Sequence, residues 1–467
     1  MVGVLVPTIS CTLALRVDPQ RGVTDTLHVT GQATLAGALQ PLLHNAHTVA
    51  PGTRELGTLL SAGGGLDASA LQVPDTAILD FRLQHGDDAV GFSVHADFSP
   101  EGMSEDVQRL GELLGTAQAG DRENFRALTA RLVTMATPQE LHQAYWELSG
   151  AGATTVATVG TRLATLFGRL LTDRVGAQPA ARTAGQAGHS AWAQALGERH
   201  SVRQDGAGTA DAEARLEGLA SGAETRLSAR STVGLALAGN RTELDMSHGY
   251  RARGRGLQLG AYGAHEGEGR WAGAYVAGSL SVARQVLDTE RLFELTGAAY
   301  RARLHTDAVG ARGEVGLRMG LPGWGLAPYA ALQLQHFVMR AHRESGTEQP
   351  HLALAYGRSA FTQARTELGT ALHGRHTLRD GSVLSLRGRL AWAHEAWTEH
   401  RMNASFQTLG AEGFAVKGLT PAPDLAVLAA QAELRLSPAL AVELNAQGEA
   451  GRGTRTRAWA LGLRYVW

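Results

Sequence analysis

Hydrophobic and polar residues alternate along most of the chain beyond residue 190. In the segment SVLSLRGRLAWAHE (382–395), Leu386 and Leu390 share one face with Trp392. Arg389 lies on the opposite face. A period of two residues predicts an antiparallel strand with one apolar and one polar face. Twelve segments show this pattern, the tenth mainly over its second half: 191–200, 214–224, 231–244, 250–263, 270–285, 304–319, 326–340, 358–374, 382–396, 413–435, 440–449 and 455–467.

Two features favour a barrel in lipid over a soluble β-sandwich, which stays an alternative at this point. Charged residues recur on the second face, where a dry core could not accept them unpaired but a water-filled lumen could. The connections also alternate in length, as in outer-membrane barrels with short periplasmic turns and long outer loops. The short connections are 320–328, 379–382 and 436–440, and the long ones are 286–303, 341–357 and 398–413.

The first half of the chain has a different character. Residues 26–100 read as short strands between glycine turns, which predicts a β-solenoid rung or a small β-sandwich. Residues 104–148 carry apolar side chains at helical spacing. A second helix is predicted over 156–175, and 176–188 is a linker of small residues. The predicted helix 156–175 has an apolar stripe and three arginines on its remaining surface: Val159, Leu163, Leu166, Phe167 and Leu170, then Arg162, Arg169 and Arg174.

Composition removes several classes of function. The 467 residues have a formal net charge of −1, which offers no basic field for nucleic acid. Cys11 is the single cysteine, which excludes an intrachain disulfide and a thiolate metal cluster. His189 beside Ser190 lacks the G-x-S-x-G elbow of a hydrolase. The strand histidines lack metal-ligand spacing: His336, His373 and His394. We therefore expect no enzyme activity, cofactor or metal.

The final segment, AWALGLRYVW (458–467), has the cleanest alternation. Its large side chains fall on one face, from Trp459 to Trp467. At ~3.3 Å per residue, Trp459 and Tyr465 lie about 20 Å apart. Barrels carry aromatic girdles at both edges of an apolar band roughly 25 Å tall. We predict these girdle residues: Trp459, Trp392, Tyr465 and Trp467.

The order of these segments resembles the C-terminal part of a monomeric autotransporter of the type V secretion family. HSAWAQALGERHSVRQDGAG (189–208) is similar to the family's first barrel strand, and GFAVKGLTPAPD (413–424) resembles the segment before its tenth. LHVTGQATLAGALQP (27–41) resembles the end of a passenger β-helix. The ending is similar to the Gly-x-x-aromatic-x-aromatic assembly signal: Gly462, Tyr465 and Trp467.

The resemblance implies an all-β fold: a 12-stranded antiparallel transmembrane β-barrel with an N-terminal pore helix, preceded by a short β-helix or β-sandwich-like cap. It divides the chain into a passenger end (1–103), a helical linker (104–188) with the pore helix at 156–175, and the barrel (189–467). In the first of two interpretations, the pore helix fills the lumen. Its expected residues are Arg162, Leu163, Leu166, Phe167, Arg169 and Leu170. The expected lumen-facing charges are Glu314, Glu367, Glu433, Glu443 and Arg464. In the second, the apolar stripe packs outside the pore.

The implied function is an outer-membrane translocator of a Gram-negative bacterium that anchors and exports its own passenger to the cell surface. The implied partners are outer-membrane lipid, the β-barrel assembly machinery and periplasmic chaperones, with the protein a monomer. An outer-membrane channel with a periplasmic appendage and a surface adhesive β-domain are the alternatives. With no signal peptide and about a hundred residues of passenger end, we expect a fragment, a miscalled start or a decayed gene. No Asn–Asn pair occurs, so the in-barrel cleavage of some relatives is not carried over.

Overall fold

The computed structural model describes residues 12–120, 123–176, 188–203, 211–321, 323–397, 400–409 and 413–467. Cys11 lies outside the described residues. The cap contains eight strands: β1 (Thr12–Asp18), β2 (Val23–Thr24), β3 (Leu27–Val29), β4 (Ala33–Leu43), β5 (Gly52–Ala62), β6 (Leu66–Gln72), β7 (Leu79–His85) and β8 (Ala89–Ala96).

The cap is a short solenoid closed by a hairpin. Strands β1, β4 and β6 pair in parallel, and so do β3 and β5, which is the arrangement of stacked rungs. The antiparallel pair β7–β8 then adds to the edge of β5. Its core includes Leu39, Leu60 and Phe92, all at most 1% exposed. Of the two expectations for this region, the β-helix end is the one that the parallel pairs support.

Four helices follow the cap: α1 (Glu105–Ala119), α2 (Arg126–Leu132), α3 (Pro138–Ser149) and α4 (Gly152–Gly176). Thr137 is the N-cap of α3: its side chain accepts a hydrogen bond from the backbone N–H of Glu140. The Glu140 side chain in turn accepts one from the backbone N–H of Thr137. Gly150 ends α3 in the left-handed conformation. Among the described residues, no helix is both long and apolar enough to cross a membrane.

Twelve long strands in the described part of the chain form a closed antiparallel barrel. They are β9 (His189–Val202), β10 (Ala212–Arg226), β11 (Ser231–Met246), β12 (Tyr250–Glu266), β13 (Ala274–Phe293), β14 (Ala298–Leu317), β15 (Trp324–Met339), β16 (Ser359–Thr377), β17 (Val383–Ala396), β18 (Asp424–Arg435), β19 (Leu440–Gly451) and β20 (Thr454–Val466). Each pairs with the next, and β20 pairs with β9. Closure leaves no sheet edge with unpaired backbone groups in lipid. The predicted all-β barrel is confirmed.

One predicted loop is wrong. Residues 286–303 were expected to form a long connection, but β13 and β14 continue through most of it and leave a turn at 294–297. The alternation persists there with charged instead of apolar outward residues. These are held by cross-strand ion pairs, Arg303–Asp288 at 2.7 Å and Arg301–Glu290 at 2.8 Å. Because the outward face turns polar, the apolar pattern that revealed the other strands is lost.

Two long connections form a small sheet of their own at the opposite end from the short turns. Its strands are His342–Arg343, Leu354–Tyr356, Arg401–Phe406 and Phe414–Lys417. Residues 413–435, predicted to pair mainly over their second half, contain the barrel strand Asp424–Arg435 and the short strand Phe414–Lys417 of the small sheet. Short turns are periplasmic in outer-membrane barrels, so the small sheet lies at the extracellular end. The helices α1–α3 share a hydrophobic core with this sheet, which includes Leu141, Tyr145 and Phe406.

Candidate functional site: a helix inside a charged lumen

Helix α4 runs through the barrel from the extracellular mouth to the periplasmic end. Its apolar face packs on a lumen wall of small and apolar side chains from β9 to β13 and β20. The buried helix residues are Leu163, Phe167, Leu171 and Val175, and the wall includes Trp192, Leu196, Leu216, Ala220, Ala236 and Ala460. The lumen-filling interpretation of the pore helix is confirmed, and the helix is longer than the predicted 156–175.

The opposite face of α4 carries arginines that meet buried carboxylates. Glu449 of β19 is the centre of this contact, with its side chain fully buried. Its oxygens lie 2.8 Å from Arg162, 2.9 Å from Arg169 and 2.7 Å from Arg365 of β16. Arg365 also lies 2.7 Å from Glu395. Three cations around one carboxylate thereby link the helix to β19 and β16, on the side of the lumen wall that carries charged side chains.

A second set of contacts holds the periplasmic end of the helix. Arg174 lies 2.8 Å from Glu224 and 2.9 Å from Glu443. Its guanidinium also stacks over the ring of Trp192, with 4.2 Å to the centroid. Tyr262 donates a hydrogen bond of 3.0 Å to Glu224. The last turn of α4 is thereby fixed against β9, β10, β12 and β19.

A third set lies on the lumen wall beside residues 169–173 of α4. Arg389 of β17 lies 2.7 Å from Asp173 of α4 and 3.5 Å from Glu314. Glu367 accepts a hydrogen bond of 2.5 Å from Tyr329 and lies 3.7 Å from Arg312. Each charge here has an opposite charge within 4 Å, so the filled lumen carries a compensated network and not a field of one sign.

The packing around the helix leaves room for water. A cavity of about 80 Å³ lies between α4 and β17–β20 and is lined by Leu166, Leu170 and Arg389, among others. Several buried polar atoms beside it have no hydrogen-bond partner among the described residues, including Arg169 Nη2 and Gln194 Oε1. Buried polar groups of this kind are commonly satisfied by water. The cavity therefore has a partly polar lining that suits water.

The structure brings together only some of the residues predicted for the lumen. Glu367 and Glu443 meet the helix arginines, with Arg169 at 4.0 Å from Glu367. Glu314 instead faces wall arginines, and Glu433 pairs with Arg464 near the periplasmic rim. Four further carboxylates that contact the arginines of α4 were not among the predicted lumen charges: Glu198, Glu224, Glu395 and Glu449. Strand alternation assigns them to the lumen face but not to the height of a helix arginine.

The apolar stripe of the helix is broader than expected. Leu163 and Phe167 face the apolar wall, at 1% and 2% exposure. Leu166 and Leu170 are half-buried, pack against the same apolar cluster and also border the cavity. Leu171, which was not assigned to the stripe, is fully buried in this cluster as well.

The predicted girdle residues lie on the outer surface. Trp392, Trp459, Tyr465 and Trp467 are about half exposed or more, and no protein layer covers them. Trp467 exchanges backbone hydrogen bonds with His189, N to O at 3.0 Å and 3.1 Å. The end of the chain is thereby pinned into the closing seam.

The serine and histidines considered for catalysis or metal binding do not lie together in the part of the chain that the structure describes. Ser190 donates to Glu224 at 3.2 Å, whereas His189 lies against the ring of Trp467. His336 contacts Thr362 on the outer surface. Among the described residues, no group of three or more His, Cys, Asp and Glu side chains could hold a metal ion.

A buried cluster joins helix α3 to the extracellular mouth. Arg291 of β13 reaches both carboxylate oxygens of Glu344, at 2.9 Å and 2.5 Å. The same guanidinium donates to the carbonyls of Glu147 and Leu352, each at 3.1 Å. Burial raises the pKa of the Glu147 carboxyl in α3. One arginine thus connects α3, a barrel strand and an outer loop.

A closed barrel with an apolar outer band and a helix of the same chain in its lumen defines an outer-membrane translocator domain. The chain belongs to the autotransporter family, because the model of the autotransporter β-domain matches residues 191–447. We therefore place the protein in the outer membrane, with its band in contact with lipid.

Solved structures of autotransporter domains are similar to this chain. The translocator domain of the autotransporter NalP from Neisseria meningitidis is 15% identical, with a TM-score of 0.50, and the match covers 68% of this chain and 98% of that one. The β-domain of the Bordetella autotransporter BrkA is 19% identical, with a TM-score of 0.45 over 60% and 99% of the two chains. The transport unit of AIDA-I from Escherichia coli is 16% identical, with a TM-score of 0.40 over 59% and 90%. No curated protein matches the chain.

Proposed function

We propose that the barrel exports and then anchors its own N-terminal segment. One observation carries this proposal: α4 passes through the lumen and connects a cap at the extracellular mouth to the periplasmic start of β9. A chain with this connectivity has its N-terminal part outside only if that part has crossed the barrel. The domain's role is structural and transport-related.

The physical sequence of events follows from the fit of the lumen. A pore that one helix fills admits a polypeptide only in an extended or single-helical form. Folding of the solenoid and of α1–α3 at the extracellular mouth buries apolar surface and makes return unfavourable. The helix arginines then meet Glu449, Glu224 and Glu443, which holds the translocated state. The energy of export comes from folding outside, since the chain itself supplies the ordered cap.

A reversible disulfide bond engineered into the cap tests this proposal. Thr53 and His95 face each other on β5 and β8, with Thr53 Oγ1 2.9 Å from His95 Nδ1. Directly paired residues in an antiparallel sheet have a Cα separation that a disulfide can bridge. We expect T53C/H95C, made in a Cys11→Ser background behind a Sec signal peptide, to form a loop in the periplasm that is too wide for the pore.

The readout is surface exposure of an epitope inserted at the exposed turn Gly102. The oxidised double variant should keep its epitope protected from external protease while the barrel migrates as folded in detergent gels. Reductant during growth should restore exposure, and the single variants T53C and H95C should expose the epitope throughout. Full exposure of the oxidised form would overturn the proposal.

We also propose that the final strand is the signal for barrel assembly, read by the assembly machinery and protected by periplasmic chaperones. Tyr465 and Trp467 present neighbouring rings 5.9 Å apart on the outer face. Packing also requires a glycine at position 462, because a Cβ there would lie 2.2 Å from Gln194 Cγ. The closed sheet needs no second subunit, so we propose a monomer.

Truncation separates the signal from general stability. We expect Tyr465→Ala combined with deletion of Trp467 to block insertion, with the protein absent from the folded outer-membrane fraction. Leu461→Ala is the matched control, because Leu461 lies on the same face of β20 with similar exposure. Equal insertion of both variants would count against the signal.

A further inference from the structure

The outer surface carries a cluster of arginines where the barrel closes. Arg457 of β20 pairs in register with Arg199 of β9, which pairs with Arg215 of β10. Arg455 lies one outward position further up β20. All four are exposed. Like charges directly opposite each other on neighbouring strands are destabilising, so this row requires a counter-charge.

The described residues supply only part of this counter-charge. Glu213 lies 2.6 Å from Arg199 and 2.8 Å from Arg215. Within the described residues, Arg455 and Arg457 have no ion pair. The nearest outward acid below the row, Glu217, is in register with Arg241 of β11.

The rest of the charged belt differs from this cluster. Along β13 and β14 each outward arginine has its own carboxylate, as in Arg301–Glu290 and Arg303–Asp288. The positive charge is therefore in excess at the seam and compensated along β13 and β14.

The position of the cluster identifies its ligand. Directly below Arg457, the outward residues of β20 become Trp459, Leu461 and Leu463, which begin the lipid-facing band. The arginines thus lie at the level of lipid headgroups in the extracellular leaflet. Guanidinium groups bind phosphate through paired, charge-assisted hydrogen bonds. We infer that Arg199, Arg215, Arg455 and Arg457 bind the phosphate groups of a phosphorylated glycolipid headgroup in that leaflet.

Such binding has a consequence for the barrel. The phosphate would neutralise the row across β20, β9 and β10, which is where the first and last strands meet. A bound headgroup therefore stabilises the closing seam, and its loss leaves adjacent arginines in repulsion.

Binding to the full-length protein in detergent tests this inference. The probe is diphosphorylated lipid A, compared with the same lipid after phosphatase treatment, by native mass spectrometry. R455Q/R457Q removes the two cations that have no ion pair within the described residues. R301Q/R303Q is the matched control, because it removes the same charge at the same end of the barrel. We expect a loss of about tenfold in affinity for the first variant and less than about twofold for the control.

Each outcome decides. Lipid A should also raise the temperature at which the folded form is lost in gels, for the wild type and the control but not for R455Q/R457Q. Equal losses in both variants would indicate nonspecific charge attraction and overturn the site. Equal binding of the dephosphorylated lipid, or full competition by inorganic phosphate, would overturn the headgroup assignment. Folded migration of both variants shows that the seam has closed.

Discussion

Replacing Glu449 with glutamine tests whether charged contacts hold α4 in the lumen. The amide has nearly the shape of the carboxylate, so the change removes a charge without opening a cavity. Arg162 keeps Glu198 at 3.3 Å and Arg365 keeps Glu395 at 2.7 Å. Arg169, in contrast, keeps only Glu367, at 4.0 Å.

The expected change in free energy follows from the loss of the Glu449 charge beside Arg169. Removing one partner of a buried ion pair costs about 3–5 kcal/mol, because the other charge stays buried without compensation. We expect Glu449→Gln to weaken helix seating by this amount, since Arg169 is only 2% exposed. Adding Arg169→Gln should recover most of it, because the second change removes the charge that the first one strands.

The assay is ion conductance of the full-length protein in planar bilayers, together with the temperature at which its folded gel band is lost. We expect frequent openings for the single variant and a mostly closed pore for the wild type and the double variant. Glu433→Gln is the control, because Glu433 pairs with Arg464 and Arg435 at the rim and not with α4. If Glu449→Gln stayed closed and as heat-resistant as the wild type, the charged contacts would not be what seats the helix.

Three further changes probe the lumen and its mouth. Gly160→Leu should prevent seating of α4, measured as conductance, because even a Cβ there would lie 2.2 Å from Phe337 Cε2. Arg291→Gln should cost about 3–5 kcal/mol at the mouth by leaving Glu344 buried without its cation, seen as faster external proteolysis of the loop 341–357. Burial lowers the pKa of His400 to about 4, below its ordinary 6.5, so its contribution to loop stability is present above pH 6.5 and lost as the pH falls towards 4. His400→Gln should remove that part of the acid sensitivity, measured by hydrogen exchange of residues 400–409.

The barrel could be predicted from sequence because the alternation that marks each strand is a local pattern. Each strand has one face in lipid and one in the lumen, so the pattern within a dozen residues reveals it. The lumen network was only partly predictable, since register and tilt decide which carboxylate meets which arginine. Glu449 shares its face of β19 with Glu443, yet it meets Arg162 while Glu443 meets Arg174. Docking of α3 onto the mouth depends on contacts between distant residues, such as Arg291 with the carbonyl of Glu147.

The two unlike walls of the lumen fix how α4 sits. Rotation by one residue would turn Arg162 towards the side of Leu163 and bury it against the apolar wall. An isolated buried charge is expensive, so the seated orientation is strongly preferred over its neighbours. Buried ion pairs contribute little net stability when both partners can return to water. The network therefore selects one final position for the helix while opposing its passage weakly, which is what a pore that must first transport and then close requires.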